Sequence, residues 1–268
     1  MSEVVVVERN GKIASIILNR PDKLNALNRE VFEAFDAALI ELEHDDDVAV
    51  VIIKGAGRAF CVGYDVGTDN PERSKLKSVT ADRDRLEVNV ERWLRVWDFP
   101  KPVIGQVHGY ALAGGTQLLT CCDIVITAED AKFGFPSVPL GGGYVGPMWT
   151  HVVGAQRSKL MDFTAGSQID GKRAVEWGMA TLAFPAERLE EETLDIARKI
   201  ARTPADILRL KKKAINRVIE GGDFRTSVLN GALWDSIIHQ ADGVKLTSQK
   251  ISELGVRGAV DWFNSQDV

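Results

Sequence analysis

The sequence predicts an α/β fold with largely parallel strand pairing. Strand-length runs of β-branched residues alternate with amphipathic stretches at helical spacing through the first two-thirds of the chain. Two of these strands end in glycine-bearing loops, and helices dominate beyond about residue 155. With 268 residues, 45% hydrophobic and 26% charged, the chain is long and apolar enough to bury a sizeable core.

Each element has its own warrant. "VVVVERNGKIASIIL" is two β-branched runs around Asn10-Gly11, a strong hairpin signal. Asn28 is placed to cap a helix whose Val31, Phe32, Phe35, Ala38, Leu39 and Leu42 recur at helical spacing. "VAVVIIKG" (48–55) reads as a buried strand ending in glycine. Residues 66 to 82 are polar and lack a strong period, which predicts a mobile surface segment and a candidate lid. "LEVNVERWLRVWDFPKP" is an amphipathic helix that must stop before Pro100, with Trp93 and Trp97 on one face. "VIGQVHGYAL" is a strand running into glycine, "GGTQLLTCCD" a short helix carrying Cys121 and Cys122 as packing residues, and "IVITAE" another strand. After "AQRSKLMDFTAG", which reads as a helix, one short strand, "MATLAFP", interrupts the helical last third. The division expected is a core over 1–200 and a helical cap or oligomerisation region over 201–268.

The net charge of -5 provides no global field to recruit nucleic acid or an anionic membrane, so an anionic ligand needs locally placed basic groups. The three cysteines, Cys61, Cys121 and Cys122, have neither metal-ligand spacing nor even pairing, so reduced thiols and no metal are expected. The N-terminus lacks a basic region followed by an apolar core, and no apolar run approaches a membrane span. A cytoplasmic location is the expectation.

"PSVPLGGGYVG" (136–146) spaces Gly141, Gly143 and Gly146 like a dinucleotide fingerprint. Pro136 and Pro139 exclude a central strand before it, and the acidic residue that should end the next strand is replaced by helical sequence. These glycines serve something other than a nucleotide phosphate.

Chemistry points instead to "GRAFCVGYD" (57–65) and "HGYALAGGTQ" (108–117). In both, a strand ends in a tight turn that leaves peptide N–H groups without sheet partners. The second turn opens a helix, whose first N–H groups are also free. Two such donors converging on one point form an oxyanion hole. Ordinary strand-to-helix turns read the same way from spacing alone.

Together, "NRPDKLNALN", "GRAFCVGYD", "KPVIGQVHGYALAGG", "CDIVITAEDAKFGFPSVPLG" and "GSQIDGKRAVEWGM" resemble the crotonase, or enoyl-CoA hydratase/isomerase, superfamily, in order and over roughly residues 3 to 262. The resemblance implies a crotonase-type spiral of repeated ββα units with a C-terminal helical region. It also implies a homotrimer or dimer of trimers and a coenzyme A thioester as substrate, with no cofactor. The thioester oxygen would lie between the N–H groups of Val62 and Gly114. Ala59, Gly63, Tyr64, Asp65 and Gly115 match positions around the acyl-CoA, Asp65 as a loop-ordering aspartate. Arg20 and Lys23 match the segment that meets the CoA nucleotide; a solvated basic turn is the other reading of both. The family's C-terminal lysine run is replaced by "GVRGAVDWF", which removes one cross-subunit CoA contact.

The largest departure concerns acid–base groups. The two hydratase glutamates correspond to Gln117 and Ser137. An amide accepts no proton at neutral pH, and a lone serine is no base. Such groups typically contribute about 10²–10⁴-fold each, so efficient hydration is not expected. Val145 stands where the dehalogenase branch has its nucleophilic aspartate. Tyr144 stands where the decarboxylase branch has a tyrosine, and is the polar candidate in the acyl pocket or an aromatic capping the next helix. His108 is expected to order its loop through a hydrogen bond. Decarboxylation fits the residue set best; isomerisation needs a base such as Asp69 or Glu72. The rival from another class is a non-catalytic acyl-CoA-binding protein.

Overall fold

The structure, a computed structural model, describes residues 3–65, 79–135, 145–164, 166–221 and scattered positions between 242 and 265, with the side chains of 79–87 and 145–148 excepted. The first two strands, β1 (Val5–Asn10) and β2 (Ile13–Leu18), form the expected antiparallel hairpin, with Asn10 opposite Ile13 and Gly11 at φ 57°. Asn28 accepts the Val31 N–H at 3.0 Å and so starts α1 (Arg29–Glu43), which buries Val31, Phe35, Ala38, Leu39 and Leu42.

The chain continues through β3 (Val50–Gly55), α2 (Val79–Trp97), β4 (Val103–Val107), β5 (Tyr110–Leu112) and α3 (Gly114–Thr120). It then forms β6 (Ile124–Ala128), β7 (Lys132–Gly134), α4 (Val145–Val153), α5 (Ala155–Phe163) and β8 (Gln168–Asp170). The last described elements are α6 (Gly171–Trp177), β9 (Leu182–Phe184), α7 (Leu189–Ala201) and α8 (Ala205–Gly221). A six-stranded sheet runs β1-β2-β3-β4-β6-β9 and is parallel except at the first hairpin. A second sheet runs β5-β7-β8. Strands β4 and β6 of the first sheet thus each lead, through a turn, to β5 and β7 of the second, the ββα repetition of a crotonase-type spiral.

Burial explains the sequence pattern of the central strands. Val50, Val51, Ile52 and Ile53 are at most 1% exposed, as are Val103 and Ile104. A parallel strand covered on both faces reads as an unbroken apolar run.

Three expectations need correction. Residues 79–82 belong to α2 rather than to a loop, while 66–78, with Asp69 and Glu72, lie outside the described residues. The last third contains β8 as well as β9, and β7 lies within the stretch expected to be a loop. Three-residue strands are too short to show a period. Cys121 caps α3 and Cys122 follows it, although both are buried, and desolvation pushes both thiols up, that of Cys121 to about 12.

Helix α8 carries a buried charge that meets the core. Lys212 Nζ, on a side chain only 7% exposed, meets Asp123 Oδ2 at 2.8 Å and donates to the carbonyls of Val96 and Lys101. The same carboxylate oxygen accepts the Val103 N–H at 2.7 Å at the start of β4. Desolvation holds the Asp123 carboxyl above its ordinary pKa despite the ammonium. Neutralising Asp123 leaves a sheltered cation with carbonyls alone, so Asp123→Asn should destabilise the fold by about 2–3 kcal/mol, measured by chemical denaturation. An unchanged midpoint would mean that the carbonyls suffice.

Candidate active site

Three segments build the site. The turn after a short 3-10 helix, Pro21–Lys23, holds Leu24 at φ 50° and Asn25 at φ 57°. Asparagine tolerates this left-handed backbone better than most residues, and leucine does not. The Asn25 side chain compensates. Its Nδ2 donates to the carbonyls of Ala56, Ala59 and Phe60 at 2.9, 2.7 and 3.2 Å, and its Oδ1 accepts the Arg20 N–H at 2.9 Å. One buried amide therefore fixes the loop after β3.

That loop docks onto β5. The Cys61 N–H donates to the Tyr110 carbonyl and the Leu112 N–H to the Cys61 carbonyl, each at 2.9 Å. Gly109, at φ 59°, makes the turn between β4 and β5; a Cβ there would stand 2.0 Å from the Arg58 oxygen. Beyond β5, Ala113 has φ 46° and ψ -116°, a strained conformation for a residue with a Cβ, and α3 begins. The Ala113 carbonyl accepts the N–H groups of Thr116 and Gln117. The Gly114 N–H has no hydrogen-bond partner among the described residues.

The two loops meet at Gly63. Its φ is 95°, and a Cβ on it would stand 2.9 Å from the Gly114 nitrogen and 2.8 Å from the Ala113 Cβ. Glycine at 63 thus sets no side chain of its own against the Gly114 N–H. The second expected donor is not free. The Val62 N–H donates to the Leu24 carbonyl at 3.2 Å, which corrects the expectation of two unpaired donors. Its cause is the bridge between Leu27 and Tyr64, in which Leu27 N–H donates to Gly63 O at 2.8 Å and Asp65 N–H to Leu27 O at 2.9 Å. That bridge draws the 20–27 segment alongside the loop.

The expected polar residues divide. Gln117 is fully buried on α3, one turn beyond Gly114. Tyr64 Oη donates to Gln117 Oε1 at 2.6 Å and accepts from Trp93 Nε1 at 3.3 Å. Phe32 and Trp93 pack edge-on, and Phe32 also lies beside Tyr64, so α1 and α2 hold the phenol in place. Trp93 is core with a polar tip, whereas Trp97 donates to Glu220 on α8. Beside this cluster a cleft of about 300 Å³ is lined by Leu27, Asn28, Phe32, Tyr64, Val88 and Arg92, among others. Ser137 and Tyr144 lie outside the described residues.

The whole-chain comparisons agree. The model of the enoyl-CoA hydratase/isomerase family matches residues 8–249. The chain belongs to the enoyl-CoA hydratase/isomerase family. It is 34% identical over 218 residues to the short-chain-enoyl-CoA hydratase of Clostridium acetobutylicum, covering 80% of this chain and 81% of that protein. Among solved structures, an enoyl-CoA hydratase/isomerase from Xanthobacter autotrophicus Py2 aligns with a TM-score of 0.77 at 30% identity, over 99% of this chain and 98% of that one. An enoyl-CoA hydratase from Bacillus anthracis aligns with a TM-score of 0.80 at 29% identity, over 93% and 96%.

Within this enoyl-CoA hydratase/isomerase family chain, several expected ligand contacts acquire other partners. Arg20 has contacts within the chain: its Nη1 donates to the Ala26 carbonyl at 2.7 Å and pairs with Asp65 Oδ2 at 3.2 Å. It joins the first segment to the loop, and Asp65 orders that loop through it. Lys23 is exposed and has no partner among the described residues. Ala59 is completely buried, with its carbonyl on Asn25. Gly115 packs α3 against Cys61, whose oxygen stands 2.5 Å from where a Cβ would be. His108 Nε2 bonds the Gly57 carbonyl at 2.8 Å and so orders the loop. Cys61, completely buried, accepts the Gly63 N–H on Sγ at 3.3 Å, and desolvation pushes its thiol up to about 12.

Asn25 and the hydrogen-bonding role of Trp93 were not singled out from the sequence. The Leu-Asn step inside "NRPDKLNALN" is the only signal for the first; nothing local marks the second. Gly63→Ala would place a methyl over the Gly114 N–H and strain a left-handed turn. The folded variant should lose about 10²-fold or more in turnover, the typical effect of removing one such donor. Turnover near wild type, with folding checked by circular dichroism, would show that the reacting oxygen does not use Gly114.

Proposed function

We propose that this chain is an acyl-CoA enzyme that stabilises a thioester enolate without a carboxylate base at Gln117, and that it favours decarboxylation or isomerisation over hydration. The observation that carries the reading is the Gly114 N–H, without a partner among the described residues, beside Gly63, with an amide rather than a carboxylate one helical turn away. The acyl-CoA ligand is supported by family membership and by the relative named a short-chain-enoyl-CoA hydratase.

In this reading the thioester oxygen accepts from Gly114 and takes the Val62 N–H from the Leu24 carbonyl, a bond that is long at 3.2 Å. Two donors then face the oxygen on which charge develops. For a carboxylated acyl group, the bond between Cα and the carboxylate breaks and its electron pair moves into the thioester enolate. Carbon dioxide leaves, and Cα then takes a proton. Tyr144 is our candidate donor for that proton. A phenol of pKa near 10 is a usable acid and a poor base. Ser137 supplies no base by itself. Lys23, exposed and unpaired among the described residues, is the remaining basic group of its segment for the CoA phosphates.

The assembly we propose is a homotrimer or dimer of trimers, which the exposed apolar Leu160 and Phe163 of α5, at 56% and 77%, support. The second reading, a non-catalytic acyl-CoA-binding protein, has the same missing carboxylates in its favour.

A panel of CoA thioesters with and without an acyl carboxylate separates the two, since turnover of any member excludes pure binding. CoA thioesters should raise the melting temperature by mass action and NAD(P)H should not; the reverse pattern would overturn the reading. Wild-type protein should hydrate crotonyl-CoA poorly, and Gln117→Glu with Ser137→Glu should gain measurable hydration. Efficient hydration by the unmodified chain, followed by absorbance of the enoyl thioester, would show that another acid supplies the base.

A further inference from the structure

Gln117 carries a feature that its place in the family does not require. Its side-chain nitrogen is buried and has no hydrogen-bond partner among the described residues. Two other buried side-chain atoms share this property among the described residues, Asp162 Oδ1 and Arg202 Nε. Asp162 lies on α5 and Arg202 closes α7, both outside the segments that build the site. Unsatisfied buried donors are rare in folded proteins, and each calls for an explanation.

The direction of the Gln117 amide follows from its neighbours. An indole N–H is only a donor, so Trp93 Nε1 obliges Tyr64 Oη to accept. The phenol has one proton, which goes to Gln117 Oε1 at 2.6 Å. The relay therefore runs in one sense, from Trp93 through Tyr64 to Gln117. It consumes the carbonyl arm of the amide and leaves the NH₂ arm as a donor. Tyr64 is also in place beside the glycine turn, because a Cβ on Gly114 would stand 2.9 Å from its ring.

We propose that the Gln117 Nε2 is a specificity-determining donor for an acyl group that bears an oxygen acceptor, a carboxylate or a carbonyl, near the reacting carbon. Tyr64 and Trp93 are positioning residues that hold the amide in this sense. The proposal rests on the acyl-CoA reading above and narrows it. A plain alkyl chain leaves the donor buried and unpaired, whereas an acyl oxygen satisfies it. Sites built to hydrogen-bond a ligand group discriminate against analogues lacking it, because the site's own polar group is then stranded.

The test uses the full-length protein and isothermal titration with CoA, butyryl-CoA, acetoacetyl-CoA and malonyl-CoA. Wild type should bind at least one oxygenated thioester about tenfold or more tightly than butyryl-CoA, as expected for a hydrogen bond to a charged or strongly polar acceptor. Preference for malonyl-CoA identifies a carboxylate acceptor, and preference for acetoacetyl-CoA a carbonyl. Gln117→Leu should bring the oxygenated and alkyl ligands to similar affinities. Tyr64→Phe, which frees the amide to rotate, should reduce the ratio of oxygenated to alkyl affinities. A merely structural defect would weaken all ligands alike. Gln117→Glu, which places oxygens on both arms, should reject malonyl-CoA most strongly. If Gln117→Leu does not fold, Gln117→Met and Tyr64→Phe give the same readout. Equal affinities in wild type, or a preference that survives both substitutions, would overturn the proposal while leaving the acyl-CoA reading intact. Failure of CoA and every thioester to bind would sink that reading itself.

Discussion

The site depends on two turns of backbone approaching so closely that no side chain fits between them. At Gly63 a Cβ would stand within 3.0 Å of Ala113, Gly114 and Leu112 atoms at once, and at Gly115 one would meet the Cys61 oxygen at 2.5 Å. Close approach lets the loop after β3 pair with β5 through Cys61, and that pairing sets the Gly114 N–H beside an open glycine. A larger residue at either position would separate the loops. The glycines are thus needed for proximity as much as for dihedral freedom.

Holding this arrangement requires strained backbone. Among the described residues, Leu24, Asn25 and Ala113 are the non-glycine positions with positive φ, and all three belong to the segments that meet here. Each such residue costs on the order of 1–3 kcal/mol. The compensation is local. Asn25 satisfies three carbonyls with one buried amide, and Ala113 donates to Gly134 while its carbonyl starts α3. Arg20 adds a link between the first segment and Asp65. The Gly114 N–H is thus held by backbone contacts, and in the proposed reading little reorganisation is left to the moment of reaction.

How much of this could be read from the sequence varied with the range of the interaction involved. The hairpin at Asn10-Gly11, the cap at Asn28 and the buried run of β3 rest on signals a few residues long, and all appear in the structure. Five motifs agreeing in order carried the resemblance to the family that the whole-chain match shows. Strands β7 and β8 were not legible, because three residues carry no period and their pairing is defined by partners far along the chain. Roles decided by distant partners were equally hidden. Arg20 reads as a free basic residue until Asp65, forty-five positions later, accepts it. The bond between Val62 and Leu24 and that between Trp93 and Tyr64 leave no local trace.

The same relay shows how the chemistry of this position can change without repacking. Tyr64 asks of residue 117 a single acceptor oxygen, and a glutamate meets that demand as well as a glutamine does. Trp93, Phe32 and the helices around them would be indifferent to the exchange, since it alters neither shape nor the bond to the phenol. Only the second arm differs: a carboxylate oxygen accepts a proton, whereas an amide nitrogen donates two. Replacing one carboxylate oxygen with NH₂ would thus exchange a base for a donor while the bond to Tyr64 is kept. The Gly114 N–H does not depend on this side chain, because it belongs to backbone held by Asn25, Gly63 and Gly115. In the proposed reading, enolate stabilisation by backbone and the choice of acid–base partner at residue 117 are therefore separable, and a change in the second leaves the first in place.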